Sequence, residues 1–206
     1  MTTAKQKTYA RIARFYDFLD YPFEYGRYRA LRRILWDGLS GKLLDAGVGT
    51  GRNIEFYPKG SLVTGIDLSP SMLNRAMKRD VQTGSAADVV VLNEGNVLKT
   101  SFDDDTFDAA VSSFLFCVLD GEHQLNALKE LARITKPGGE VRILEYAYSK
   151  RPLKRFGMRL WAPWVRMMYG ASFDRRTEQY AEAAGLVIKE ERFVFDDIIK
   201  LLVLKA

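Results

Sequence analysis

The sequence predicts an α/β protein with a mostly parallel, doubly wound sheet. Three observations carry that prediction. Short apolar strands alternate with helical stretches from residue 42 onward, a glycine-rich turn follows the first strand, and the chain ends in two consecutive strand-like runs. At 206 residues, 47% hydrophobic and 28% charged, the chain reads as one domain over 1–206 that buries a core without disulfide or metal staples.

Taken in order, Tyr9, Ile12, Phe15/Tyr16 and Leu19 recur close to helical spacing. Tyr21-Pro22 interrupts them, and a second helix is expected over about Glu24–Leu39, so residues 1–40 form a helical cap. Lys42–Ala46 is a short buried strand, and Ser61–Ile66 is the next. Ser69 as N-cap and Pro70 at the first helical position open a helix through about Lys78. Val89–Leu92 and Phe107–Ser113 are strands, rich in β-branched and aromatic residues. Gly121–Thr135 is a helix with Leu125, Leu128 and Leu131/Ala132 on one face. A Lys136-Pro137-Gly138-Gly139 turn leads to strand Glu140–Glu145. Leu186–Phe195 and Ile198–Leu204, joined by Asp196-Asp197, read as an antiparallel addition at the end of the sheet.

Composition removes several classes. A single cysteine, Cys117, leaves no internal disulfide, and a single histidine, His123, leaves no zinc site of several His or Cys ligands; no metal is expected. No apolar run reaches the length of about 18–20 residues that a membrane span needs. The first residues lead into Arg11 and Arg14 rather than an apolar signal core, so the expectation is a soluble, cytoplasmic protein. Net charge is +5 but uneven: residues 1–36 hold eight Lys/Arg against three Asp/Glu, and residues 146–176 hold eight against one. Two basic segments on an otherwise acidic body point to an anionic partner, whether membrane surface, nucleic acid or phosphorylated substrate.

The strongest chemical signal is Asp45-Ala46-Gly47-Val48-Gly49-Thr50-Gly51. Glycines at such a turn let the backbone approach a nucleotide-like ligand. Twenty residues beyond Gly47, Asp67 stands at the end of the second strand, where a carboxylate can accept from both hydroxyls of a ribose. The dinucleotide fingerprint Gly-x-Gly-x-x-Gly is not met, because the third glycine falls one position early.

These residues resemble the class I S-adenosylmethionine-dependent methyltransferases, and the resemblance runs from Leu43 to Ala206. It implies a Rossmann-like seven-stranded sheet with an antiparallel last strand. Asp45, Gly47, Gly49 and Gly51 match the motif that cradles the methionine part of S-adenosylmethionine. Asp67 matches the ribose-binding acid, and Leu68 packs near the adenine. Gly95-Asn96-Val97 stands where the family commonly has Gly-Asp-Ala, so Asn96 would hold the adenine amino group with Val97 beside it. Tyr16 and Tyr25 are similar to N-terminal tyrosines that close over the cofactor; each reads equally as a core residue.

In this family the acceptor sits at the ends of strands four and five, which makes Ser113 a cofactor contact and Phe114 a substrate contact. Tyr146 and Tyr148 would face the acceptor, and Glu145 or a water would take its proton. Tyr16, Glu145 and Tyr146 are thus the catalytic candidates. The motif of base-amine methylation, (Asn/Asp)-Pro-Pro-(Tyr/Phe), is not met at Ser113-Phe114-Leu115, which demotes nucleic acid. The stretch 150–169 holds six basic residues and no acid among tryptophans and methionines. That mixture suits an anionic bilayer, and it reads alternatively as a pocket lid. Lys154, Arg155 and Arg159 are the candidates for a lipid phosphate, or are solvated charges.

By general likeness the chain is most similar to small bacterial phospholipid N-methyltransferases, with ubiquinone/menaquinone C-methyltransferases as the rival. The first implies a monomer at the inner face of the membrane, with 146–176 as its basic aromatic substrate and membrane segment. His123, at a helix start, reads as a cap rather than a base, and Cys117 as core.

Overall fold

The structure, a computed structural model, describes residues 28–206, the side chain of Tyr169 excepted. Its core is a seven-stranded sheet. In chain order the strands are β1 (Lys42–Ala46), β2 (Leu62–Asp67), β3 (Val89–Glu94), β4 (Phe107–Ser113), β5 (Thr135–Tyr146), β6 (Val187–Phe195) and β7 (Ile199–Lys205). They lie side by side as β3-β2-β1-β4-β5-β7-β6. The pairs among β1 to β5 are parallel, and β7 runs antiparallel to both β5 and β6. The last strand is therefore antiparallel as expected. The two last strands add at one end of the sheet, also as expected; within the pair β7 lies inside, with six of its seven residues buried, and β6 takes the edge.

The central strand explains the order. Leu43, Leu44, Asp45 and Ala46 are wholly buried, which fits a parallel strand covered on both faces. On one face α1 (Arg29–Trp36) presents Leu31, Leu35 and Trp36, and Trp36 packs on Tyr57 with ring centroids 4.7 Å apart. The same face receives Ala76 of α2 (Pro70–Thr83). On the other face α3 (Gly121–Ile134) buries Gln124, Ala127, Leu128, Leu131 and Ile134, with Leu125 and Ala132 packed at the margin of the same cluster, so the expected face is the one turned to the core. Each fully buried Leu or Ile contributes about 1.5–3 kcal/mol, so these two layers dominate the fold's cohesion.

Local chemistry sets the boundaries. Pro70 begins α2, but Ser69 makes no side-chain cap; its Oγ lies 2.9 Å from Ser71 Oγ, while its N–H donates to Asp67. Asp120 caps α3 by accepting from the His123 N–H. The Lys136–Gly139 turn is drawn into β5 instead: Thr135 pairs with Phe107, the register slips before Ala109, and Gly138 takes φ +81°. A Cβ on Gly139 would lie 2.6 Å from the Asp108 carbonyl oxygen, so the strand needs glycine there. The basic stretch forms α4 (Pro152–Tyr169), opened by Pro152 and stopped by Gly170 in the left-handed region at φ +66°. No helix among the described residues is long and apolar enough to cross a membrane.

Candidate functional site

A cavity of about 570 Å³ lies at the carboxyl ends of the strands, where open α/β sheets bind ligands. The glycine turn forms its floor. Gly47, Gly49 and Gly51 all have positive φ. At Gly49 a Cβ would meet nothing closer than the Gly47 oxygen at 4.0 Å, so bare backbone faces the cavity there. Gly51 does a different job: its Cβ would lie 2.9 Å from the Ala76 Cα, so it permits close packing of the turn on α2 and does not line the cavity.

Asp67 lines the cavity at the tip of β2. Its two oxygens each accept one backbone N–H, from Gly49 at 2.9 Å and from Ser69 at 2.8 Å. Burial raises its pKa, and these two donors oppose the rise. A carboxylate has about four acceptor positions, so these contacts leave it capacity to accept from a ligand hydroxyl. Leu68, Asn96, Val97 and Ser113 line the same space. The Asn96 Oδ1 already accepts the Leu98 N–H at 3.1 Å, which fixes the orientation of the amide.

Asp45 is placed elsewhere. It is wholly buried beneath the turn and does not line the cavity. Its carboxylate accepts from Asn53 Nδ2 at 3.0 Å and from Tyr57 Oη at 2.7 Å. Burial pushes its pKa up to about 6, against those hydrogen bonds and the Arg32 charge. Asn53 in turn donates to Ser113 Oγ at 3.1 Å, and Arg32 donates to both Asn53 Oδ1 (2.7 Å) and Ser113 Oγ (3.0 Å). A chain of buried polar groups thus ties the glycine turn to the end of β4, with Arg32 at the cavity surface. Sequence reading missed Arg32, Asn53 and Tyr57, whose convergence exists only in the fold.

The far end of the cavity is aromatic. Phe114 and Tyr146 stack at 4.7 Å, Tyr28 lies 5.4 Å from Phe114, and Phe173 lies 5.6 Å from Tyr146. The Tyr146 hydroxyl donates to that of Tyr28 at 3.0 Å. Phe114 reaches this position through φ +58°, a conformation that bulky residues rarely adopt. Met158, Trp161, Trp164 and Val165 of α4 close the side.

Several expected site residues are not brought here. Glu145 points to the opposite face, as alternation beside Tyr146 requires. It accepts from Thr177 Oγ1 at 2.7 Å and pairs with Lys200 at 3.3 Å, and burial raises its pKa. It does not line the cavity, so it is a buried structural acid and not a proton acceptor for a ligand there. Tyr148 also stands outside the lining, 5.7 Å from Phe173 with the Arg155 guanidinium over its ring. Lys154 is held by Asp196 and Asp197, and neither it nor Arg155 nor Arg159 lines the cavity. His123 sits at the start of α3, where its N–H donates to the capping Asp120 carboxylate and its ring meets the same group, so Asp120 and not His123 is the cap. Cys117 is buried and borders the cavity, its Sγ 3.0 Å from the Phe114 carbonyl oxygen. Tyr16 and Tyr25 lie outside the described residues. No cluster among the described residues has the makings of a metal site.

A methyltransferase-domain family model matches residues 44–143. A phosphatidylethanolamine N-methyltransferase of Cereibacter sphaeroides is 37% identical over 114 residues, which is 55% of this chain and 55% of that relative. The chain thus spans about half the length of that protein. A demethylmenaquinone methyltransferase of Thermobifida fusca (strain YX) is 35% identical over 173 residues, 79% of this chain and 71% of the relative. Among solved structures, the geranyl diphosphate C-methyltransferase from Streptomyces coelicolor A3(2), in complex with Mg2+, geranyl diphosphate and S-adenosyl-L-homocysteine, shares the fold. Its TM-score is 0.70 at 18% identity, covering 86% of this chain and 79% of that one.

Proposed function

Because the chain belongs to the S-adenosylmethionine-dependent methyltransferases, we propose that it methylates the amine of phosphatidylethanolamine, and its methylated intermediates, at a membrane surface. One observation carries the lipid reading. The helix that walls the acceptor end of the cavity, α4, also turns Leu153, Phe156 and Leu160 outward between Lys150, Arg151, Arg155 and Arg159. Leu153 is 87% exposed and Leu160 67%, an arrangement suited to an anionic bilayer, with aromatic and apolar groups at the interface and cations at headgroup level. A lipid entering along that helix passes directly from bilayer to cavity.

When bound, S-adenosylmethionine supplies an activated methyl group on a sulfonium. The backbone at Gly47 and Gly49 and the Asp67 carboxylate are the groups that would hold it, with Leu68 and Val97 against the adenine and Asn96 at its amino edge. Tyr28, Phe114, Tyr146 and Phe173 then face the acceptor, where ring faces attract a cationic ammonium and keep attracting it as methyl groups replace N–H donors. They also exclude water from the line of transfer. Asp67 is the only acid that lines the cavity among the described residues, and it stands at the ribose end. The neighbouring Cys117 thiol is held protonated by burial. Among the described residues no group is thus placed to take the proton of the attacking amine, and turnover is expected to rise with pH above neutrality as more of the amine is unprotonated.

A second reading, C-methylation of a quinone precursor, is favoured by a specific pair of observations. The match to the demethylmenaquinone methyltransferase covers more of the chain, and Lys154 is engaged by Asp196 and Asp197 instead of standing open for a phosphate. The test is incubation with labelled S-adenosylmethionine and vesicles of phosphatidylethanolamine, with and without anionic lipid, beside a demethylated quinone in the same vesicles. Labelled headgroups support the proposal; label in the quinone alone replaces it with the second reading.

A further inference from the structure

The turn between β6 and β7 is acidic and reaches across to the start of α4. Asp197 accepts three hydrogen bonds from that start: from Ser149 Oγ at 2.6 Å, the Lys150 N–H at 2.9 Å and Lys154 Nζ at 3.0 Å. Asp196, in the left-handed region at φ +46°, pairs with Lys154 and lies 3.5 Å from Arg151. The rest of α4 is loosely seated. Of its described side chains none is fully buried, and Met158 and Val165, which are half-buried, face the cavity itself. Its other end is held by Arg166 donating to Ser172 Oγ at 3.2 Å.

We infer that Asp196 and Asp197 latch α4 over the acceptor end of the cavity, and that an anionic lipid surface releases the latch by competing for Lys154 and Arg151. Asp197 is then a positioning residue, acting through α4. The inference rests on the lipid-acting reading above. Its physical basis is a mismatch in strength. Ion pairs this close to solvent are individually weak, so they hold a lid without locking it. A plane of negative headgroups offers the same cations many partners at once while the exposed Leu153, Phe156 and Leu160 enter the interface. On a neutral surface only the apolar contacts remain and the acids keep their hold. Hydrogen bonding from Ser149 and Lys154 holds Asp197 well below the usual carboxylate range, so the latch stays charged at physiological pH.

The test uses the full chain and two variants that break the contact from opposite sides, Asp197→Asn and Lys154→Gln. Turnover is measured on phosphatidylcholine/phosphatidylethanolamine vesicles with and without phosphatidylglycerol. Wild type is expected to be stimulated about fivefold or more by the anionic lipid, and both variants to give ratios near one because their rates on neutral vesicles rise. A wild-type ratio near one, or variants that keep the wild-type ratio, overturns the latch. Binding of S-adenosyl-L-homocysteine within about twofold of wild type shows that the variants are folded. A second arm separates the latch from the lipid reading. In solution, amide hydrogen exchange over residues 150–158 should be about tenfold faster in both variants, with α3 unchanged. If wild type labels no phosphatidylethanolamine in any vesicle, the lipid reading falls and exchange alone decides the latch; unchanged exchange overturns it.

Discussion

The two halves of the cavity are built on opposite principles. At the cofactor end the acid Asp67 is held by backbone N–H groups of the turns it joins, and Asp45 beneath it is enclosed by Asn53 and Tyr57. At the acceptor end the wall is α4, whose described side chains are nowhere fully buried, whose start rests on the ion pairs of Arg151 and Lys154, and whose other end is held by the Arg166–Ser172 hydrogen bond. The first half has one arrangement because its polar groups are desolvated and must stay paired. The second half has few buried contacts to lose, which is the property of elements that move. Under the proposed function, precision is kept where the reactive methyl would be aimed, and compliance where an acceptor would enter.

Gly49→Val tests the rigid half most severely. Its side chain would project into the cavity, where the nearest atom is now 4.0 Å away, and its backbone strain costs about 1–2 kcal/mol. Binding of S-adenosyl-L-homocysteine should fall by about 100-fold or more, while the protein stays folded. Gly51→Val should show the reverse emphasis, a large fall in thermal midpoint, because its Cβ would overlap Ala76 backbone. Calorimetry on both variants checks the pair. Retained affinity in Gly49→Val would remove the glycine turn from the cofactor wall.

Next in size is the buried acid. The folded pKa of Asp45, about 6, lies above the ordinary 3.8, so between those values the folded chain keeps a proton that the unfolded chain releases. Stability therefore falls as pH rises through about 4 to 6 and is level above that, by on the order of 3 kcal/mol in total. Glu130, lowered to about 2 chiefly by its hydrogen bond from Arg133, works in the opposite sense: its contribution is lost as pH drops below about 4.5. Comparing Asp45→Asn with wild type isolates the first effect. The difference in unfolding free energy should shift toward the variant across pH 4–6. A flat difference would mean that Asp45 is not desolvated.

Smaller still is the expected effect on the compliant half. Trp161 is 62% exposed, so Trp161→Ser should change the free energy of unfolding by no more than about 0.5 kcal/mol. Vesicle affinity, however, should drop about tenfold, as loss of a large interfacial ring implies. Co-sedimentation with anionic vesicles measures it. Unchanged partitioning would leave α4 as a lid without a membrane role.

The same contrast explains what was legible in the sequence. The glycine turn and Asp67 could be read because their chemistry is dictated by backbone close to them in the chain, β1 and β4 because buried parallel strands carry apolar runs, and the edge strand β3 because of its run of β-branched valines. Glu145 and Lys154 were assigned to the acceptor because each is a functional residue type in the right segment. Their partners arrive from far along the chain, Thr177 and Lys200 for Glu145, Asp196 and Asp197 for Lys154. Strand alternation held a usable warning, since Glu145 and Tyr146 cannot both face one ligand. No comparable signal existed for Arg32, whose contact with Ser113 joins residues 81 apart. The helical character of α4 was masked by Pro163 in its interior and by the mixture of basic and aromatic residues.

His123 gives the smallest effect and the clearest limit on the chemistry. It is the chain's one histidine and so the natural suspect for a base near neutral pH. The fold gives it a different duty: its backbone N–H donates to Asp120 at 3.1 Å, its ring meets the same carboxylate, and it does not line the cavity. Removing the ring in His123→Ala leaves the backbone donor and the cap in place. The cost should be below about 1 kcal/mol, less than that of Asp120→Ala, which deletes the cap acceptor itself. Turnover and its rise with pH should match wild type, because His123 stands outside the cavity. A flattened pH profile in His123→Ala would show instead that a proton travels through α3, and the division between an anchored cofactor end and a compliant acceptor end would have to include that helix.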